Sequence, residues 1–220
     1  MEKQSRKVML AVMSLIAVSG WFALGLQLYI LLVDPALGDL SSVQRTVKFF
    51  SFFTILTNLL VALSLTICLL MPQSGLEKFF SRPSVKSALA LYIAIVGIVY
   101  NLALRQLWNP EGFQLVADVI LHTAIPIMYV VYWFIFVSKG ELNWIHPIWW
   151  LIYPLIYFPY TLIRGALTNH YVYPFVDVSQ LGYSGVLVNA VMLTVGFLVL
   201  GEILVGIDQL MSRTSMQNAS

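Results

Sequence analysis

The chain has 220 residues, of which 60% are hydrophobic and 10% charged, and its formal net charge at pH 7 is +2. A soluble domain carries about 25% charged residues, so this composition excludes an ordinary soluble protein and indicates an integral membrane protein. The small net charge, without a basic block, argues against nucleic-acid binding, and the single cysteine, Cys68, excludes an intrachain disulfide or a cysteine-based metal cluster.

Six apolar segments are predicted to be transmembrane helices, because a span of the bilayer core takes about 20 apolar residues. They cover about residues 8–33, 47–71, 87–107, 115–137, 148–163 and 184–207. The first is too long for a signal peptide and is predicted to be retained. The fifth contains Pro154 and Pro159, and we predict a kinked span there, since neighbouring helices can satisfy the carbonyls that proline leaves free. The prediction is therefore an all-α, six-span membrane protein with one polytopic domain.

The basic residues that flank these segments predict the orientation. With the N-terminus inside, eight Lys and Arg residues fall on the cytoplasmic side and four on the outer side, so both termini are predicted to be cytoplasmic. The outer connections then carry DPALGDLSS, WNPEG and TNHYVYPFVDVSQLGY. The four outer basic residues are Arg45, Lys48, Arg105 and Arg164.

An acid and an imidazole stand inside the fourth segment, in the stretch DVILHTAIP from Asp118 to Pro126. Ionisable groups within a membrane span are expensive and usually functional. Asp118 and His122 are four residues apart, so they share a helix face and can contact each other. The rest of the chain is therefore searched for groups that could reach this pair.

Several polar residues are predicted at a similar depth in the membrane. Thr54 in the second segment and His122 in the fourth each lie about seven residues from the outer end, which is about 10 Å. Near the outer end of the third segment, Asn101 and Arg105 are four residues apart on one face. A further stripe lies along the fifth segment and consists of Tyr153, Tyr157, Tyr160 and Arg164. The pattern predicts a polar pocket displaced toward the outer face.

These residue types suit nucleophilic catalysis by an alcohol that a neighbouring base activates. A neutral imidazole can take a proton from a hydroxyl, and a carboxylate on the other ring nitrogen sets its tautomer. His122 is the predicted base and Asp118 its predicted orienting group, while Thr54 is the predicted nucleophile. Ser51 and Thr57 are alternative nucleophiles, one turn before and one turn after. The oxyanion candidates are Asn58 and Asn101, or a tyrosine hydroxyl.

Two short motifs, SFFTILTN in the second segment and LHTAIPIMYVVYW in the fourth, resemble the androgen-induced gene and androgen-dependent TFPI-regulating proteins. That family consists of membrane hydrolases in which a threonine and a histidine act on fatty acid esters of hydroxy fatty acids. The resemblance places the histidine at His122 and the threonine best at Thr54. This sequence has Thr57 directly before Asn58, which departs from the family pattern and leaves the choice between Thr54 and Thr57 open.

The chain is most similar to bacterial six-span members, which implies the bacterial inner membrane. A lipid ester with a free carboxylate would then enter from the bilayer, with Arg105 or Arg164 pairing with the carboxylate. Tyr157 and Tyr160 are the other predicted substrate contacts. No cofactor or metal is predicted for this chemistry.

Two other classes of protein also fit the sequence. A proton-coupled transporter or a lipid-binding membrane protein would use Asp118 and His122, with Glu202 as a further proton site. The absence of internal repeats and of paired broken helices makes a transporter the weaker reading. A haem or quinone protein is disfavoured because His146 and His170 fall in or beside connections, which leaves one histidine within a span.

Overall fold

A computed structural model of the chain describes residues 2–35, 38 and 40–217. Within that part of the chain all regular structure is helical and no strand occurs, which confirms the all-α prediction. The helices cluster into two compact units, Met1–Ser138 and Lys139–Ser220. Of the predicted outer connection after the first span, Ala36, Leu37 and Asp39 lie outside the described residues.

Five helices are long and apolar enough to cross a membrane, as far as the described residues go. They are Gln4–Val33, Phe53–Leu70, Pro83–Leu107, Gly112–Phe136 and Val178–Thr214. These match the first four and the sixth predicted segments, and they are compatible with a multi-pass membrane protein. The predicted fifth segment instead forms two shorter helices, of which the longer has 17 residues.

The first unit contains seven α-helices and two π-helical segments among its described residues. The α-helices are α1 (Glu2–Val33), α2 (Ser42–Phe49), α3 (Phe53–Leu70), α4 (Gly75–Phe80), α5 (Pro83–Val99), α6 (Gly112–Val119) and α7 (Ile125–Phe136). One π-helical segment, Tyr100–Leu104, continues α5 and leads into a 3₁₀ turn, Arg105–Leu107. The other, Ile120–Ala124, joins α6 to α7.

The predicted second span is interrupted near its start. Ser41 caps α2 through a reciprocal pair of hydrogen bonds with Gln44, which begins a separate helix at Ser42. At the other end, the Ser51 hydroxyl donates to the carbonyl of Val47, the acceptor that helical Ser51 N–H would use. The Ser51 N–H instead donates to the carbonyl of Lys48. Helix α2 ends at Phe49, and α3 begins at Phe53, six residues later than the predicted start of the second span.

Helix α1 packs against α3, α6 and α7, and α5 packs against α3 and α7. Helices α1 and α3 approach each other closely at Gly20, where an added Cβ would lie 3.2 Å from Cβ of Ala62. Buried polar contacts then cross between helices. The Trp133 indole in α7 donates to the Ser87 hydroxyl in α5 over 2.7 Å. The α1 and α6 helices are joined by a Gln27–Gln114 amide pair.

The second unit contains α8 (His146–Trp150), α9 (Ile152–Thr168) and α10 (Val178–Gln217). Helix α10 is interrupted at Gly182, whose φ of 65° is not helical. Near its other end, the buried carboxylate of Asp208 accepts the backbone N–H groups of Gly140 and Leu142, which holds the loop before α8. Pro159 lies inside α9, as the sequence predicts for this segment.

Candidate active site

Asp118 and His122 are in contact at the junction of α6 with the π-helical segment Ile120–Ala124. The ring Nδ1 of His122 lies 3.1 Å from the carboxylate Oδ1 of Asp118 and 3.1 Å from the backbone carbonyl of Asp118. The hydrogen-bond geometry favours the carbonyl, and the carboxylate makes a close electrostatic contact. The Asp118 side chain is 6% exposed and that of His122 is 16% exposed.

These two contacts determine which nitrogen of the ring carries the proton. Both neighbours of Nδ1 are oxygen acceptors, so Nδ1 must be the donor in the neutral imidazole. The other nitrogen, Nε2, then holds a lone pair and can accept a proton. His122 is therefore arranged as a base on its Nε2 side.

Tyr100, which was not among the predicted site residues, joins this pair from the π-helical segment that continues α5. Its ring stacks on the imidazole of His122 with centroids 3.7 Å apart and planes 15° from parallel. Its hydroxyl donates to Asp118 Oδ2 over 2.6 Å, and the indole N–H of Trp108 donates to the same hydroxyl over 3.1 Å. The carboxylate of Asp118 therefore contacts His122 through Oδ1 and Tyr100 through Oδ2. The sequence signal for this role, one tyrosine in an apolar span, is too common to identify it.

The two predicted oxyanion candidates contact the backbone around His122. Asn58 donates from Nδ2 to the carbonyl of Leu121, and Asn101 donates from Nδ2 to the carbonyl of His122, each over 3.2 Å. Arg105 donates to the amide oxygen of Asn101 over 3.1 Å and is itself exposed. The structure thus brings Asn58, Asn101 and Arg105 into one network with His122.

The candidate nucleophiles lie at the start of α3. Thr54 is the second residue of α3 and therefore belongs to its first turn, which differs from the predicted depth of seven residues because the helix begins at Phe53. Thr54 is 8% exposed, while Ser51 and Thr57 are fully buried. One turn further on, Asn58 contacts the carbonyl of Leu121. Asn58 therefore links α3 to the His122 segment through a side-chain hydrogen bond.

The remaining predicted site residues, Arg164, Tyr157 and Tyr160, belong to α9 in the second unit. Arg164 donates from Nη1 to the carbonyl of His170 over 3.0 Å, which ties the end of α9 to the loop that follows it. The rings of Tyr157 and Tyr160 lie 6.2 Å apart, and Tyr160 is exposed. Within its own unit Arg164 thus already has one backbone partner.

Among the residues that the structure describes, no group of three or more His, Cys, Asp and Glu side chains could hold a metal ion. The residues brought together at His122 are instead one carboxylate, one imidazole, one phenol and two amides. This set is suited to proton transfer.

Comparison with known proteins finds no matching family model, no matching curated protein and no matching solved structure.

Proposed function

We propose that the protein is an intramembrane hydrolase of lipid esters, in which Thr54 attacks the ester carbonyl and His122 is the general base and then the general acid. The observation that carries this proposal is the contact of His122 Nδ1 with Asp118, because it leaves Nε2 as the proton acceptor. The motif resemblance to threonine and histidine membrane hydrolases points to the same reaction and to fatty acid esters of hydroxy fatty acids as the substrates.

In the proposed reaction, Nε2 of His122 takes the hydroxyl proton of Thr54 as its oxygen bonds to the ester carbon. The alcohol leaves with that proton, and water then hydrolyses the acyl-threonine by the same route. The first turn of α3, where Thr54 lies, carries the positive end of the helix dipole, which favours negative charge developing on the carbonyl oxygen. Thr57 and Ser51 are the alternative nucleophiles.

The substrate's free carboxylate is proposed to pair with Arg105 or Arg164, and Tyr157 and Tyr160 are proposed to contact its chains. Arg105 is exposed and makes a single hydrogen bond to Asn101, so its remaining donors suit a carboxylate. Replacing both arginines with glutamine should raise KM for an ester that carries a carboxylate and leave KM for its methyl ester unchanged. An unchanged KM for both esters would remove the arginines from the proposal.

The proposed membrane arrangement has six spans, both termini in the cytoplasm and a location in the bacterial inner membrane. The remaining span, the fifth in chain order, would be α9, whose 17 residues rise about 25 Å, a little less than the roughly 30 Å of the hydrocarbon core. The eight basic residues on the inner side and four on the outer side support this orientation. Labelling single cysteines introduced in the termini and loops of intact cells would test it.

The rival function is a proton-coupled transporter or lipid-binding protein that uses Asp118 and His122. Turnover by purified protein in detergent separates the two, because hydrolysis needs no gradient. Wild type should release fatty acid from an ester, and His122→Gln should lose this activity while keeping the same thermal unfolding midpoint. Binding of the ester without release of product would support the rival.

A further inference from the structure

The carbonyl groups of Leu121 and His122 do not receive the backbone N–H groups that an α-helix would give them. Proline has no N–H, so the donor that would serve the His122 carbonyl in an α-helix is missing. In the π-helical segment, the Ile125 N–H bonds to the carbonyl of Ile120. The Leu121 carbonyl therefore has neither Ile125 nor Pro126 as a donor. Two consecutive carbonyls inside a membrane helix thus lose their α-helical donors, and a carbonyl left without any donor is costly away from water.

Two asparagine side chains from neighbouring helices donate to these two carbonyls. Asn58 in α3 bonds to Leu121, and Asn101 after α5 bonds to His122. Each asparagine also donates to the carbonyl four residues earlier in its own helix, Thr54 at 2.9 Å and Gly97 at 2.8 Å respectively. A side-chain amide has two N–H groups, so the donors of both amides are fully used.

The orientation of both amides follows from these contacts. Turning either amide over would place its oxygen against two carbonyl oxygens, which repel it. Gly97 allows the approach of α5, since a Cβ there would lie 3.0 Å from Cβ of Pro126 and 3.5 Å from the carbonyl of His122. The backbone around His122 is therefore hydrogen-bonded by side chains from α3 and from the segment that continues α5.

We propose that Asn58 and Asn101 are positioning residues: they replace the α-helical donors that the Leu121 and His122 carbonyls lose and thereby fix the backbone that carries His122. Their effect on catalysis rests on the proposed hydrolase function, whereas their effect on the His122 segment does not. With both N–H groups engaged, neither amide supplies an oxyanion donor. The two asparagines set where the imidazole lies, and they act through it.

A double-mutant cycle tests the pairing. Pro126→Ala returns a backbone N–H at that position, so the donor that Asn101 supplies becomes replaceable. Asn101→Leu should lower the thermal unfolding midpoint in the native background. In the Pro126→Ala background the same substitution should lower the midpoint by about half as much or less, as expected for groups that share one partner. Asn189→Leu is the matched control, because Asn189 donates to the carbonyl of Phe175 in the second unit. Asn189→Leu should lower the unfolding midpoint by the same amount in both backgrounds.

A spectroscopic readout separates positioning from stability alone. In protein labelled with ¹⁵N-histidine, the His122 signals, assigned with His122→Gln, should shift in Asn101→Leu and stay in place in Asn189→Leu. The kcat for ester hydrolysis should fall about tenfold in Asn101→Leu with KM little changed, the size expected for one lost buried hydrogen bond. Asn58→Ser, which keeps one donor, stands in for Asn58→Leu if that variant does not fold.

The outcomes distinguish the two proposals. Equal losses of midpoint for Asn101→Leu in both backgrounds would overturn the pairing with Pro126, and unmoved His122 signals would overturn the positioning role. Coupled midpoints and shifted His122 signals in a protein that hydrolyses no ester would support the positioning role and reject the hydrolase function alone.

Discussion

Replacing Gly97 with alanine adds one methyl group at the closest approach between α5 and the His122 segment. The new Cβ would lie 3.0 Å from Cβ and 3.4 Å from Cγ of Pro126, inside the 3.5–4.0 Å at which carbon atoms attract each other. Pro126 has a rigid ring fixed to its backbone, so it cannot turn away. The two helices must therefore move apart, and the Asn101 bond to the His122 carbonyl, already 3.2 Å long, is the first to break.

Three terms set the size of the effect on the free energy of unfolding. Alanine gains about 1 kcal/mol over glycine in a helix interior. Overpacking costs about 1–3 kcal/mol, and the lost hydrogen bond costs about 1 kcal/mol. The net result is a loss of about 1–3 kcal/mol. Gly25→Ala in α1 is the matched control, because a Cβ there meets nothing within 4 Å and the variant keeps the helical gain.

The assay is thermal unfolding in detergent, combined with ester turnover well below the unfolding midpoint. Gly97→Ala should unfold several degrees below wild type and lose turnover, whereas Gly25→Ala should match or exceed wild type in both. If Gly97→Ala were as stable and as active as Gly25→Ala, the close packing of Gly97 on Pro126 would have no role in holding His122.

Three further predictions follow from other contacts. Tyr100→Phe keeps the ring on His122 and removes the 2.6 Å hydrogen bond to Asp118, so kcat for ester hydrolysis should fall about 10- to 100-fold, and an unchanged kcat would contradict this role. Arg45 donates to four backbone carbonyls at and after the end of α1. Arg45→Met should therefore lower the free energy of unfolding by about 3 kcal/mol. Arg6→Met is the control and should have little effect, because Arg6 is exposed. Hydrogen bonds from the Ser179 hydroxyl and neighbouring groups hold the pKa of Asp177 below its usual value. Its contribution to stability is therefore present above about pH 4 and lost as the pH falls through the folded-state pKa. The unfolding midpoint of Asp177→Asn should fall less on acidification than that of wild type, and parallel curves would contradict the assignment.

The sequence was sufficient for the helical class and for the pairing of Asp118 with His122. Long apolar runs have few structural alternatives in a membrane, and a spacing of four residues places two side chains on one helix face. It was not sufficient for the start of α3, because the bond from the Ser51 hydroxyl to the Val47 carbonyl beside the break is one that Thr66 and Thr194 also make within unbroken stretches of helix. A polar residue with this ability is ordinary in many uninterrupted spans.

The role of Tyr100 depends on geometry that residue spacing does not show. Tyr100 begins one π-helical segment and His122 lies in the other, and a π-helical turn changes the direction of the side chains that follow it. A helical wheel drawn with 3.6 residues per turn therefore misplaces residues beyond either segment. Proline within a helix removes a backbone donor, but the two asparagines that bond to the carbonyls before Pro126 lie 68 and 25 residues from it in the sequence.

The most direct test of the central claim is to identify the residue that a hydrolase-directed phosphonate probe modifies in the purified wild-type protein. Peptide mapping should find the adduct on Thr54, and both Thr54→Ala and His122→Ala should abolish labelling while leaving the protein folded. An adduct on Thr57 would move the nucleophile by one turn. Labelling that persists without His122, or no adduct in a protein that binds the ester, would contradict hydrolysis by this pair.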